Sequence, residues 1–282
     1  MVEKHPWYSL LRLEPRLHRV RTFHRGRPGL AAKVVTSKTE IEIGPAWDAT
    51  SIASPDSPAP GVVHLWRRAL HASAAEVNSC YELLSTEEKE RAIRFRIERP
   101  RKDFVLTRGT LRLLLSQYLG SAPPHIRLGN AANGKPFLEG EHDLCFNVSH
   151  TDGLALLAFA KRRPIGVDVE NLGREIEAEL LAERFFSERE RQALRRFRGD
   201  ELRAAFFRCW TRKEAYIKAK GDGLSLPLDQ FDVSIAANDE DALLATRSDP
   251  DEAARWTICD VPIGPGYAAA VAVAEYETVS VG

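Results

Sequence analysis

Leu154-Ala155-Leu156-Leu157-Ala158-Phe159-Ala160, Lys161-Arg162-Arg163-Pro164 and Ile165-Gly166-Val167-Asp168-Val169-Glu170 read in succession as strand, turn and strand. The first run is small and apolar, far too short to cross a bilayer, and suits a buried strand. The last alternates, sending Ile165, Val167 and Val169 to one face and Gly166, Asp168 and Glu170 to the other. Upstream, residues 144–150 alternate as another strand and residues 61–70 look like the first strand of the folded body. Ser85 or Thr86 caps a helix with Glu88 in its first turn, and a second helix runs from about 102 to 119, stopping at Gly120 and Pro123-Pro124. Downstream, Ser187 and Glu190 form a capping box for a helix reaching about Phe197, and a longer helix spans about 201–220 before Gly221. Residues 231–235, 256–260 and 267–275 read as strands. Helices and hairpins mixed in this way predict an α+β fold. The chain has no short-period repeat and no Gly-rich phosphate loop of Walker or Rossmann type.

A length of 282 residues allows one large domain or two compact halves. The 40 basic and 40 acidic residues cancel, so overall charge argues for neither a nucleic-acid nor a membrane partner. Attraction to an anion must come from local Lys and Arg. Cys80, Cys145, Cys209 and Cys259 are widely spaced without a C-x-x-C pair, as expected of reduced thiols in a cytoplasmic protein. The first residues lack a secretory apolar region; their Arg-rich, acid-poor character fits a transit peptide less well than a poorly ordered extension. That extension ends in Ser51-Ile52-Ala53-Ser54-Pro55-Asp56-Ser57-Pro58-Ala59-Pro60, which reads as a linker. The expected units are therefore residues 1–60, an N-terminal α+β half over 61–160 and a C-terminal α+β half over 161–282.

Chemistry concentrates in a few places. Asp168 and Glu170, two apart on one strand face, repel each other unless a positive charge lies between them. A hard divalent cation relieves that repulsion, and magnesium commonly takes few carboxylates together with substrate phosphates. The plain alternative is an exposed strand face. In Trp210-Thr211-Arg212-Lys213-Glu214-Ala215-Tyr216-Ile217-Lys218, Glu214 and Lys218 share a helix face. They suit a metal or proton-transfer role and a phosphate contact, or else a surface ion pair worth roughly 0.2–0.5 kcal/mol. Gly134-Lys135-Pro136 places a Lys in a turn, and Phe146-Asn147-Val148-Ser149-His150 ends a strand in polar side chains; each alone is ordinary turn or strand-end chemistry.

Together these segments, with Arg184 to Glu190 (R-F-F-S-x-x-E) and Gly223-Leu224-Ser225-Leu226-Pro227-Leu228, closely resemble the Sfp-type 4′-phosphopantetheinyl transferases from about Gly61 onward. The resemblance implies a pseudo-dimer of two similar α+β halves with the active site in the cleft between them. It implies magnesium-dependent transfer of 4′-phosphopantetheine from coenzyme A to a serine of an apo acyl or peptidyl carrier protein, releasing adenosine 3′,5′-bisphosphate. Asp168, Glu170 and Glu214 would hold the metal, with Glu214 as ligand, base or both. Lys218 would contact the phosphates, and Lys135, Ser149 and His150 the nucleotide. The family's early basic residues fall in the helix over 87–96, where Lys89, Arg91 and Arg94 are candidates; Arg108 is another. A monomer is expected, since one chain supplies both halves. The competing readings are a non-catalytic coenzyme A or carrier-binding module and a magnesium-dependent hydrolase of a phosphopantetheine-type diester.

Overall fold

A computed structural model describes residues 32–46, 56–131, 134–221, 226–237, 239 and 242–275. The N-terminal half contains β1 (Ala32–Val35), β2 (Glu40–Ala46), β3 (Val62–Ala69), α1 (Ala74–Glu82), α2 (Thr86–Ile93), α3 (Glu98–Leu119), β4 (Leu128–Asn130), β5 (Pro136–Leu138), β6 (Leu144–Thr151) and β7 (Leu154–Lys161). The C-terminal half contains β8 (Ile165–Asn171), α4 (Ala178–Phe185), α5 (Glu188–Leu194), α6 (Gly199–Lys220), β9 (Phe231–Val233), β10 (Leu243–Thr246), β11 (Trp256–Asp260) and β12 (Tyr267–Ala274). A five-stranded sheet, ordered β1-β2-β3-β7-β6, belongs to the first half, and a three-stranded sheet, ordered β11-β12-β8, to the second.

Each sheet carries one long helix. Leu111, Leu114 and Leu115 of α3 pack on Trp66, Phe146, Val148, Leu157 and Phe159. On α6, Phe206, Trp210, Ala215 and Tyr216 pack with Ile258, Ala270 and Ala272. The opposite faces of the two sheets share a third core, in which Ile41, Val63, Leu65, Leu156 and Ala158 meet Ile165, Val167, Val169 and Val271. The apolar run of β7 therefore sits centrally, with all residues but its last buried.

The two halves repeat a local device. A Ser-x-x-Glu capping box opens α2 at Ser85 and Glu88, and another opens α5 at Ser187 and Glu190. Each box glutamate also binds a buried cation on the long helix: Glu88 pairs with Arg112 of α3, and Glu190 with Lys213 of α6 at 2.7 Å. Each cation in turn donates to two carbonyls just beyond its helix. Arg112 reaches Pro123 and Ile126, while Lys213 reaches Leu228 and Phe231. Both helices stop at a left-handed glycine, Gly120 at φ 65° and Gly221 at φ 81°, a conformation glycine adopts without steric cost.

Three expectations change. Residues 32–46, assigned from sequence to a poorly ordered extension, form β1 and β2, with Ile41 and Ile43 fully buried. Strand β2 runs parallel to β3, so residues 61–70 supply the third strand rather than the first. The Ser/Pro stretch that reads as a boundary is an internal connection, and only pairing across it reveals that. Helix α3 begins at Glu98, and α1, α4 and β10 carried no recognised sequence signal. Residues 1–31, 51–55 of the Ser/Pro stretch and 223–225 of the Gly223–Leu228 segment lie outside the described residues.

Candidate functional site

The site is built where α6 crosses β8. A Cβ on Gly166 would lie 2.0 Å from the Ala215 carbonyl oxygen and 2.5 Å from the Ala219 nitrogen, so only glycine permits this approach. Strand alternation places Asp168 and Glu170 on the same face as Gly166, beneath the helix that carries Glu214 and Lys218. That face is buried: Asp168, Glu170 and Glu214 are 2%, 1% and 4% exposed. The exposed strand face and the surface ion pair, both open from sequence, are therefore excluded.

Lys218 Nζ donates to Asp168 Oδ1 at 2.6 Å, Ser149 Oγ at 3.1 Å and the Val167 carbonyl at 3.4 Å. Ser149 Oγ donates to Asp168 Oδ1 at 2.8 Å. Thr151 Oγ1 donates to Glu170 Oε2 at 3.3 Å, and Arg174 Nη1 lies 3.6 Å from that oxygen. Burial alone lowers the pKa of Lys218. The charge of Asp168, then those of Glu214 and Glu170, outweighs it and raises the pKa above the ordinary lysine value. Lys218 thus answers the charge of all three carboxylates, with Arg174 beside Glu170.

Among the described residues, no three His, Cys, Asp or Glu side chains converge closely enough to hold a metal as they stand. The donor chemistry nevertheless fits a hard cation. Asp168 Oδ2 is buried and accepts no hydrogen bond, a condition that costs about 1–3 kcal/mol or more for a charged oxygen. Oxygen donors with this unmet demand are what magnesium takes, alongside water and phosphate.

The other sequence candidates separate. Ser149 joins the cluster, whereas alternation sends His150 to the opposite face of β6, the one Phe146 and Val148 turn toward α3. Lys135 Nζ donates to the carbonyls of Ile165, at 3.2 Å, and Lys218. It thereby caps the last turn of α6, where carbonyls lack helical partners. Burial, with the nearby Lys218 charge acting the same way, pulls the Lys135 pKa from 10.5 down to about 8. Lys89 pairs with Glu82 and lies over the Tyr81 ring. Arg108 is buried 3.5 Å from Glu88 and stacks on Phe104, as does Arg91. Arg91 and Arg108 share one aromatic platform and Lys89 does not.

Two residues flank Ser149 on its face of β6: Asn147, which the sequence reading noted as polar without giving it a role, and Thr151, which it passed over. Asn147 Oδ1 accepts the Val167 N–H at 2.9 Å and Thr151 Oγ1 accepts the Asn171 N–H at 3.3 Å. Their signal was visible as Asn147-x-Ser149-x-Thr151, polar side chains on one face of a strand otherwise apolar.

Comparison with known proteins gives two family matches. Residues 164–272 match the model of the 4′-phosphopantetheinyl transferase superfamily, and residues 68–162 match that of the 4′-phosphopantetheinyl transferase N-terminal region. The 4′-phosphopantetheinyl transferase HetI of Nostoc is 37% identical over 217 residues, covering 76% of this chain and 88% of the relative. The Sfp transferase of Bacillus subtilis is 32% identical over 191 residues, covering 68% and 82%. The L-aminoadipate-semialdehyde dehydrogenase-phosphopantetheinyl transferase of Xenopus laevis is 29% identical over 220 residues, covering 73% of each chain.

Proposed function

The chain belongs to the 4′-phosphopantetheinyl transferase superfamily, and from that premise we propose how its own residues carry the reaction. It transfers the 4′-phosphopantetheine group of coenzyme A to a serine of an apo carrier protein, acyl or peptidyl, as a holo-carrier synthase. The observation that carries this reading is the buried cluster of Asp168, Glu170, Glu214, Ser149 and Lys218 under α6, with an oxygen of Asp168 left unmet.

In the reaction, the serine oxygen attacks the pantetheine-bearing phosphorus. The P–O bond to the nucleotide breaks, and adenosine 3′,5′-bisphosphate leaves with the bond's electron pair. Such transfers need positioning and charge neutralisation more than covalent help. Lys218 leaves Asp168 to meet a pyrophosphate oxygen, and Ser149 keeps Asp168 oriented. Glu214, on the adjoining helix turn, takes the serine proton directly or through water. Asp168, Glu170 and Glu214 would hold magnesium, which when bound neutralises charge on the pyrophosphate oxygens. The platform of Arg91 and Arg108, with Lys135 and His150, is the proposed nucleotide side of the cleft.

A cytoplasmic monomer is part of the same reading. The four unbridged cysteines support the compartment, and the presence of both halves in one chain supports the monomer. The non-catalytic alternative would be favoured by loss of a carboxylate or of Lys218, and all four are present. The test is incubation with coenzyme A, magnesium and a panel of apo acyl and peptidyl carriers, read by intact mass. A phosphopantetheine mass gain on at least one carrier is expected; none on any carrier overturns the reading.

A further inference from the structure

Strand β8 pairs with β12 along one edge, and among the described residues no strand pairs with its other edge. An unpaired edge leaves a row of backbone N–H and C=O groups without partners. Here that edge is buried against β6, and side chains do what a neighbouring strand would do. The Val167 N–H donates to Asn147 Oδ1 at 2.9 Å, and the Asn171 N–H to Thr151 Oγ1 at 3.3 Å. The carbonyls of Ile165 and Val167 accept from Lys135 at 3.2 Å and Lys218 at 3.4 Å.

The two N–H groups bracket the chemistry. Val167 directly precedes Asp168, and Asn171 directly follows Glu170. Asn147 and Thr151 are 3% and 4% exposed and lie either side of Ser149, whose hydroxyl holds Asp168. A main-chain ladder would fix the spacing of the two strands by many bonds. This seam fixes it by a few, so each bond has a large share in where the carboxylates sit.

We propose that Asn147 and Thr151 are positioning residues of the transfer reaction. By bonding the β8 backbone on either side of Asp168 and Glu170, they hold both carboxylates at a set distance from Ser149 and Lys218. The inference rests on the transferase reading of those carboxylates and adds residues to it that touch neither substrate nor metal. The groups that orient metal-binding side chains typically change metal affinity by roughly 10–100-fold when removed.

The test uses Thr151→Val and Asn147→Leu, which remove the acceptor oxygens with little change of shape. Thr151→Ser and Asn147→Thr keep an oxygen on the same face. Manganese binding to the coenzyme A complex is read by electron paramagnetic resonance, with kcat, KM for the carrier and thermal unfolding measured alongside. The expected result is manganese affinity weakened roughly 10–100-fold in Thr151→Val and Asn147→Leu, with a parallel fall in kcat and unchanged carrier KM. The oxygen-retaining variants recover most of the loss. Wild-type manganese affinity in a folded Thr151→Val or Asn147→Leu, with only a lowered Tm, overturns the proposal. If Asn147→Leu does not fold, Thr151→Val, the smaller change, decides. A wild-type protein that binds neither manganese nor coenzyme A and modifies no carrier sinks the transferase reading itself. A competent wild type with unaffected variants sinks only the positioning role.

Discussion

Helices α3 and α6 are built on one plan, and only α6 carries the residues proposed for the chemistry. Both follow a Ser-x-x-Glu box, both present a buried cation to the box glutamate and to two carbonyls beyond the helix, and both end at a left-handed glycine. Counting back from those glycines, Arg112 and Lys213 occupy the same position. Glu214 and Lys218 of α6 then correspond to Leu113 and Gln117 of α3. The Lys213 of the W-x-x-K-E-A motif therefore belongs to a frame that the other half shares. Glu214 and Lys218 have no charged counterpart there, in keeping with the role proposed for them.

The difference in surroundings agrees. Lys213 is fully buried, and its carboxylate Glu190 also accepts the Val233 N–H, so the pair is closed. Lys218 keeps 22% of its side chain exposed, and its carboxylate Asp168 retains an unmet oxygen. Two Lys–carboxylate pairs on one helix thus serve as a lock and as a receptive site.

The largest test attacks the lock. Glu190→Ala strands the Lys213 charge inside the core, and breaking a buried pair from one side costs about 3–5 kcal/mol. A large drop in Tm or denaturation midpoint is expected, with turnover per folded molecule retained at low temperature. Glu88→Ala is expected to lower stability in the same way; a specific loss of turnover in either variant breaks the comparison.

Next comes the receptive pair. Lys218→Met removes a preplaced cation from developing phosphate charge, which is expected to lower kcat by roughly 10²–10³-fold. Its counterpart Gln117→Met is expected to leave steady-state rates unchanged. Equal effects of the two would remove the distinction between the halves.

A smaller effect follows at the crossing point. Gly166→Ala drives a Cβ into the Ala215 carbonyl, and overpacking of this kind costs about 1–3 kcal/mol. Since α6 must lift away from β8, reduced Tm and reduced turnover are expected together, unlike the split expected for the two pairs. Unchanged kcat in a destabilised Gly166→Ala protein would show that the helix–strand distance does not set the chemistry.

The last test concerns Lys135, whose pKa falls to about 8 in the folded chain from an ordinary 10.5. Between those values the unfolded chain binds more protons, so stability should rise with pH through that window. Below pH 8 the lysine is charged in both states and the full burial penalty stands. Lys135→Met should flatten the difference, as read from denaturant midpoints between pH 7.5 and about 10.5. A variant with the same pH slope as wild type would show that Lys135 is not the titrating group.

Much of the fold was legible because its signals are local. The capping boxes at Ser85 and Ser187, the glycine stops at Gly120 and Gly221, and the alternation of Ile165–Glu170 depend on neighbours in sequence. Strands β1 and β2 were not legible. They stand before a Ser/Pro stretch, and β2, on which β1 pairs, is held by a strand on its far side. Asn147 and Thr151 were given no role of their own for a related reason: alternation puts them on one face with Ser149, but their partners are backbone groups of another strand.

No single segment assigned a role from sequence: it was the resemblance carried by the order of motifs that grouped Asp168, Glu170, Glu214 and Lys218 as candidates for one reaction. Tertiary structure decided which lysine is closed in the core and which keeps some exposure, and what partners the remaining candidates have. Lys135 caps α6, Lys89 pairs at the surface, and Arg91 joins Arg108 on Phe104. The physical reason is that a charged side chain takes its role from burial and from the partners that burial supplies. Both are set by the packing of distant segments, here by α6 settling over a glycine of β8.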